Sequence, residues 1–148
     1  MIRASSIINS EVTPADTITL PYEDRYRRRI MMRSDKGLNF LLDLPKTTEL
    51  TNGINLVLDD GRHIRVIAAK ENLIKISAKD LRHLLEITWH IGNRHLACEI
   101  KDNHLLIKYD YVILDMLEKL GANVEKLESP FNPHGGAYGF GRTHSHDH

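Results

Sequence analysis

The sequence is poor in cysteine, in aromatic residues and in long apolar runs. Its 148 residues include one cysteine, Cys98, which excludes an internal disulfide framework and a zinc site of the four-cysteine kind. Lys and Arg number 20, as do Asp and Glu, so no net charge attracts the chain to nucleic acid or anionic lipid. No stretch approaches the roughly 20 apolar residues that span a bilayer, and the first ten residues lack the apolar core of a signal peptide. These absences predict a cytoplasmic protein that binds neither nucleic acid nor a membrane.

What the sequence does contain is a usable core and an uneven set of histidines. Hydrophobic residues make up 41% of the chain, enough to fill one domain or two small ones. Seven of the nine histidines lie after residue 89, and three of them occupy the last five positions. This distribution indicates a local chemical role for imidazole in the C-terminal part of the chain.

Residues 1–72 are predicted to form an all-β domain. Short apolar or alternating runs are separated there by turn signals and not by helical periods, and about six strands are expected. Hairpin turns are predicted at Ser34–Gly37 and Asp59–Gly61, since glycine accepts the positive φ that tight turns need. The arginine-rich stretch 25–29 could contact nucleic acid, but the neighbouring acidic residues favour a solvent-exposed strand face.

Residues 73–129 show the order strand, helix, strand, strand, helix, strand. Ser77 and Asp80 resemble a capping box, so the first helix is predicted over Ala78–Ile91, with Gly92 as its left-handed stop. The apolar stripe predicted to face the core recurs at helical spacing and comprises Leu81, Leu84, Leu85, Thr88 and Ile91.

A hairpin with its turn at Asp102–Asn103 is predicted to lead into the second helix, which Asp110 begins and Gly121 ends. The element order is that of a ferredoxin-like βαββαβ domain, in which two helices cover one face of a four-stranded sheet. The predicted fold class is therefore α+β. Residues 130–148 have no apolar period and several glycines, which predicts a flexible tail.

The tail ends in three histidines at alternate positions, His144, His146 and His148. Imidazole on every second residue can surround a borderline metal ion such as nickel, copper or zinc, and Asp147 adds an oxygen donor. A residual purification tag or a chance polar end is the alternative, but a tag is normally an unbroken histidine run. Metal binding is the favoured interpretation.

A second group of histidines lies in HIGNRH at residues 90–95, and this motif is followed by LDMLEKLGA at 114–122 and by PFNPHGGAYG at 130–139. In this order, and with the histidine-containing end, these motifs resemble the UreE family of urease accessory proteins, the nickel metallochaperones. The resemblance covers essentially the whole chain. It implies an N-terminal β domain similar to a chaperone's peptide-binding domain, followed by a ferredoxin-like domain.

The resemblance also implies a function without catalysis. A cytoplasmic homodimer would bind Ni(II) and pass it, with the urease accessory GTPase and other urease accessory proteins, to apo-urease. The family's key ligand maps onto His95 at the dimer interface, and His144, His146 and His148 match the tail histidines by type and location. Zn(II) or Cu(II) can replace Ni(II) in vitro, because both ions accept imidazole as a ligand.

Elementary coordination chemistry agrees with a symmetric site. One imidazole is a weak ligand, whereas two copies of His95 across a dimer axis would supply two nitrogen donors. The chain departs from the family in two ways: Tyr109 and Tyr111 occupy the positions of an auxiliary His-x-His pair, and the tail is short. Delivery is therefore expected rather than bulk storage.

Other candidates carry less weight. One helix face carries His83, Glu86 and His90. An exposed polar face is the favoured interpretation, and a metal or acid–base site is the alternative. Cys98 is expected to be a buried small hydrophobe, His104 a hairpin residue and His134 a tail residue, with a metal role left open for Cys98 and His134. The alternative function is a peptide-binding or scaffolding module whose histidines are incidental.

Overall fold

A computed structural model describes residues 1–135, which form two compact units: residues 1–69, and a second unit that begins at Lys70. The first unit is built from β-strands and one short 3-10 helix, Tyr22–Asp24, and both α-helices belong to the second. This arrangement confirms the predicted α+β class. Neither helix of residues 1–135 is long and apolar enough to cross a membrane.

The first unit is a six-stranded mixed sheet. Its strands are β1 (Arg3–Ile8), β2 (Asp16–Leu20), β3 (Tyr26–Arg33), β4 (Asn39–Glu49), β5 (Asn55–Leu58) and β6 (His63–Ala68). The spatial order is β2-β6-β5-β1-β4-β3, with β1 parallel to β4 and β2 parallel to β6. Six strands agree with the number expected from sequence; in β1, two serines interrupt the apolar residues Ala4, Ile7 and Ile8.

Apolar side chains at alternate positions of the strands form the core of this unit. Along β6, Ile64, Val66 and Ala68 are buried and the residues between them are half-exposed. Both predicted hairpin turns are confirmed, because Gly37 and Gly61 have φ values of 99° and 89° and connect antiparallel strands. In the arginine-rich stretch, Arg27 and Arg29 lie on the edge strand β3 and pair with Asp24 and Asp43 at 3.0 and 3.6 Å. The expected exposed face is wrong for Arg25, which precedes β3 and is buried.

The second unit has the ferredoxin-like topology. Its elements are β7 (Lys70–Ser77), α1 (Leu81–Asn93), β8 (Glu99–Ile100), β9 (Leu105–Lys108), α2 (Tyr111–Lys119) and β10 (Asn123–Pro130). The strand order is β10-β7-β9-β8, and all neighbouring strands are antiparallel. Strand residues of one sheet face form a core with the inward faces of the helices, comprising Ile74, Ile76, Ile87, Ile91, Leu105, Ile107, Ile113 and Leu117.

The start of α1 differs from the prediction. Ser77 pairs with Asn123 in the sheet and is not a helix cap. Asp80 is the N-cap: its backbone is extended and its carboxylate accepts a hydrogen bond from the His83 amide at 2.8 Å. The helix therefore begins three residues later than predicted, because the sheet ladder takes the residue that resembled a cap.

The second helix and its hairpin follow the prediction closely. Asp110 caps α2 by accepting from the Val112 and Ile113 amides at 2.8 and 3.2 Å. Gly121, with a φ of 78°, ends the helix. The Lys101 amide donates to the His104 carbonyl at 2.9 Å, which closes the predicted turn.

Candidate metal centre

The chain that leaves α1 turns through a Schellman motif in which His95 is the left-handed residue. Arg94 is the C-cap, the His95 amide donates to the Gly92 carbonyl at 3.0 Å, and the Leu96 amide donates to the Ile91 carbonyl at 3.3 Å. The φ of His95 is 58°. Leu96 packs against the core cluster that contains Ile91, which is the apolar contact that normally accompanies this motif.

The prediction that Gly92 supplies the left-handed stop is therefore wrong. Gly92 lies inside α1, and its φ is not positive. The left-handed residue is His95, three residues after Gly92, because the apolar contact between the buried Ile91 and the half-buried Leu96 fixes where the chain turns at the helix end. This places the left-handed conformation on the histidine itself.

The end of α2 provides a comparison within the same unit. There the Gly121 amide donates to the Glu118 carbonyl at 2.9 Å and the Ala122 amide donates to the Leu117 carbonyl at 3.0 Å, the same pair of bonds. Glycine is the usual residue at this position, because a β-carbon makes the left-handed conformation about 1–2 kcal/mol less favourable. Among residues 1–135, His95 is the one non-glycine residue with a positive φ.

The surroundings of His95 suit a cation. The residue is exposed. It follows the carbonyl end of α1, where the helix dipole places partial negative charge, worth about 0.3–1 kcal/mol to a nearby positive charge. The arrangement places an exposed imidazole where the helix dipole favours a positive charge.

The three residues predicted to share one helix face do not form a site. His83 is buried: its Nδ1 accepts from the Lys79 amide at 3.2 Å, so Nε2 carries the proton and donates to the Leu120 carbonyl at 2.8 Å. The exposed Glu86 pairs with Arg82 at 3.2 Å. The expectation of an exposed polar face is therefore wrong for His83, whose ring links the start of α1 to the end of α2.

The remaining candidates in the second unit have structural surroundings. Burial, together with the neighbouring Glu99 charge, raises the pKa of the half-buried Cys98 thiol to about 11, so the thiol is protonated at neutral pH in the metal-free chain. His104 Nδ1 lies 2.7 Å from Asn103 Oδ1 within the hairpin turn. The ring of His90 packs edge-on against Trp89, with 5.1 Å between ring centroids.

Within residues 1–135 of one chain, no three His, Cys, Asp or Glu side chains converge as metal ligands. His95 is thus the exposed donor that the described part of one subunit offers at this position. His144, His146 and His148 lie outside the described residues. A metal site at His95 therefore needs donors from the C-terminal segment or from a second copy of the chain.

The sequence reasoning missed an exposed apolar surface on α1. Leu81, Leu85 and Trp89 follow one another at intervals of four residues and are 71%, 60% and 63% exposed; we call them the α1 stripe. The sequence predicts that Leu81 and Leu85 face the core, but the core face of α1 is formed by His83, Ile87 and Ile91. The signal was present, because the sequence carries two apolar stripes on one helix and a monomer buries only one of them.

Two protein-family models together match almost the whole chain. The model described as "UreE urease accessory protein, N-terminal domain" matches residues 3–69, and that of the C-terminal domain matches residues 71–148. A urease accessory protein UreE from Chelativorans sp. (strain BNC1) is 52% identical over 147 residues, covering 99% of this chain and 91% of that protein. Similar proteins of the same name from Ruegeria pomeroyi and Beijerinckia indica are 48% and 46% identical, covering 90% and 100% of this chain and 87% of each relative.

Proposed function

Because the chain belongs to the UreE family of urease accessory proteins, we propose that it carries Ni(II) to apo-urease during assembly of the urease active site. By the name of its family it is an accessory protein and not an enzyme. In this proposal the working form is a cytoplasmic homodimer that acts with the urease accessory GTPase and other urease accessory proteins. Nickel is the cargo, and Zn(II) or Cu(II) can take its place in vitro because they accept the same donors.

The observation that carries the proposal is the left-handed backbone of His95. The same motif at the end of α2 uses glycine, so the fold itself does not call for a histidine at this position. Strained backbone conformations cluster at functional sites, where the side chain they present has a use of its own. An exposed imidazole at the carbonyl end of a helix is suited to hold a transition-metal ion.

The α1 stripe supports the homodimer. Three large apolar side chains on one helix face form the kind of surface that a second subunit covers, and a two-fold axis pairs the same surface on both subunits. His95 lies six residues beyond Trp89, at the end of the same helix. An axis near this end would bring two copies of His95 towards one ion.

The tail histidines complete the proposed shell. Two imidazoles leave coordination positions open on an ion that takes four to six donors. His144, His146 and His148 are the proposed further ligands. A site assembled partly from a C-terminal segment would release its ion when that segment leaves, as a delivery protein requires.

Calorimetric titration with nickel tests the proposal. The intact protein at pH 8 should bind nickel tightly, and His95→Ala should lose this tight site. Affinity should also fall as the pH drops through about 6.5, because only neutral imidazole coordinates a metal. The matched control is His104→Ala, which removes a histidine of the same unit that contacts Asn103 and should leave the titration unchanged.

Two results would contradict the assignment. Equal nickel affinity of His95→Ala and the parent would place the site elsewhere. Absence of nickel binding by the intact protein would leave the peptide-binding module as the better description of the chain.

A further inference from the structure

Within the described residues of the first unit, strand β3 has an open edge. The sheet of this unit ends at β2 on one side and at β3 on the other. On β2, the outward backbone groups are used by the β3–β4 turn: the Asp35 amide donates to the Thr17 carbonyl at 2.8 Å, and the Thr19 amide donates to Asp35 Oδ1 at 3.2 Å. Because β3 pairs with β4 alone, its other side can still accept a strand.

The register of β3 shows which backbone groups face this edge. Met31 lies opposite Leu41, and the Leu41 amide donates to the Ile2 carbonyl on the far side of β4. In an antiparallel ladder, opposed residues alternate between pairs that exchange hydrogen bonds and pairs that do not. Met31 belongs to the second kind, so its N–H and C=O point away from β4. By the same alternation, the backbone groups of Arg29 and Arg33 also face the open edge.

The outward side chains along this edge are basic, apolar and basic. Arg29, Met31 and Arg33 alternate with Ile30 and Met32, which contact the core. Met31 is 49% exposed, and none of the ion pairs among residues 1–135 includes Arg33. Pairing of two copies of β3 about Met31 would set Arg29 against Arg33, and like charges directly opposite are unfavourable. The charges therefore favour an acidic partner over a second copy of the chain.

An apolar cleft of about 250 Å³ lies beside the same edge. Its apolar lining comes from β2 and β3 and comprises Ile18, Leu20, Ile30 and Met32. Leu20 and Ile30 pack against the core of the unit but are only half-buried. Side chains alternate between the two faces of a strand, so a strand added to β3 would direct every second side chain into this cleft.

We propose that the edge of β3 binds an extended acidic segment of another protein by β-strand addition. The segment would bond to the backbone of Met31, place carboxylates beside Arg29 and Arg33, and bury apolar side chains in the cleft. The recognised pattern over five residues is acidic, apolar, apolar, apolar, acidic. This surface belongs to the first unit, so the inference goes beyond the proposed nickel function and does not depend on it.

A designed peptide tests the recognition. The end-blocked peptide Glu-Val-Leu-Val-Glu carries the pattern and reads the same in both directions, so the strand direction need not be known. Titrated into the ¹⁵N-labelled full-length protein, it should shift the NMR amide signals of β2 and β3 most strongly, with Met31 among them. The matched peptide Val-Glu-Leu-Glu-Val has the same composition but turns both carboxylates towards the apolar cleft, so it should bind about tenfold more weakly or less.

Two substitutions test the role of β3. Met31→Pro removes an outward N–H that takes no part in the ladder with β4, and proline is tolerated at such edge positions. It should bind Glu-Val-Leu-Val-Glu about threefold to tenfold more weakly than the matched control Met31→Ala, because one hydrogen bond is lost. If Met31→Pro does not fold, Arg33→Glu replaces it: this variant should lose the acidic peptide and bind Lys-Val-Leu-Val-Lys instead.

The outcomes are distinct. Shifts concentrated in β2 and β3, preference for Glu-Val-Leu-Val-Glu and the expected losses in the variants support the proposal. The absence of shifts at millimolar peptide, equal binding of the two matched peptides, or unchanged binding by the variants overturns it. Concentration-dependent β3 signals in the peptide-free protein would mean that a second copy occupies the edge, which also overturns it. The nickel titrations of the proposed function are unaffected by any of these results.

Discussion

At the scale of single residues, His95 shows a conflict between folding and ligand binding. The loop after α1 closes through the same two hydrogen bonds as the loop after α2, but a residue with a β-carbon occupies the left-handed position. Glycine adopts this conformation without a steric cost. The histidine is therefore expected to lower the stability of the second unit, while its ring provides a nitrogen for ligand binding.

This conflict predicts opposite effects of one substitution on stability and on binding. His95→Gly should raise the free energy of unfolding of the metal-free protein by about 1 kcal/mol, after allowance for the greater freedom of glycine in the unfolded chain. The same variant should lose the tight nickel site. Urea unfolding followed by the fluorescence of Trp89, the only tryptophan, measures the first effect, and calorimetry measures the second.

Two substitutions serve as controls for this prediction. His95→Ala keeps the β-carbon and should lose nickel binding without the gain in stability. Gly121→Ala creates the corresponding conflict at the end of α2 and should cost about 1 kcal/mol, since φ there is 78°. A His95→Gly variant less stable than the parent would show that the histidine ring itself stabilises the loop.

At the scale of elements, α1 has two apolar faces with different uses. Ile87 and Ile91 are buried in the core, and burial of each such side chain contributes about 1.5–3 kcal/mol. Leu81, Leu85 and Trp89 remain exposed on the α1 stripe. Exposed apolar side chains at regular helical spacing are expected to be covered by another subunit.

The α1 stripe predicts that one charge on this face breaks the proposed dimer. Leu85→Glu should shift the protein towards monomer in sedimentation-velocity experiments, because a carboxylate buried in an apolar interface loses its hydration. Met31→Glu is the matched control: it places the same charge on an exposed apolar residue of the first unit and should leave the association state unchanged. A monomeric parent, or a dimeric Leu85→Glu, would contradict the role of this face.

Elements were predictable where local chemistry alone decides the structure. The cap at Asp110, the stop at Gly121 and the hairpin glycines follow from residue type, and all were found in place. The start of α1 was not predictable from the sequence, because pairing of Ser77 in the sheet overrides a local capping pattern. At the candidate site the sequence motif indicates His95, but its left-handed backbone depends on how Ile91 and Leu96 pack, which no local pattern contains.

At the scale of the whole molecule, the first unit contains a buried carboxylate, Asp16, whose ionisation can be followed separately from the candidate metal centre. His95 lies in the second unit, whereas Asp16 lies in the first, beside the β3–β4 turn. Asp16 accepts hydrogen bonds from the Ser34 hydroxyl and from the amides of Thr17 and Lys36. This carboxylate joins the start of β2 to the turn, so its ionisation is coupled to the folding of the first unit.

Acid should therefore destabilise the first unit through Asp16. Burial alone would raise the pKa of this carboxyl, but the bonds from Ser34, Thr17 and Lys36 outweigh burial and hold the pKa below its usual 3.8. Because the folded pKa is depressed, the stabilisation is complete above the unfolded pKa and is lost as pH falls through the folded one. Asp16→Asn should lower the free energy of unfolding by about 1–3 kcal/mol at pH 7 and show a flatter decline in stability between pH 5 and pH 2. Glu11→Gln, at an exposed carboxylate of the first unit, should behave like the parent. Urea unfolding followed by the NMR amide signals of β4 measures both, and parallel pH profiles for the parent and Asp16→Asn would show that other carboxylates control the acid response.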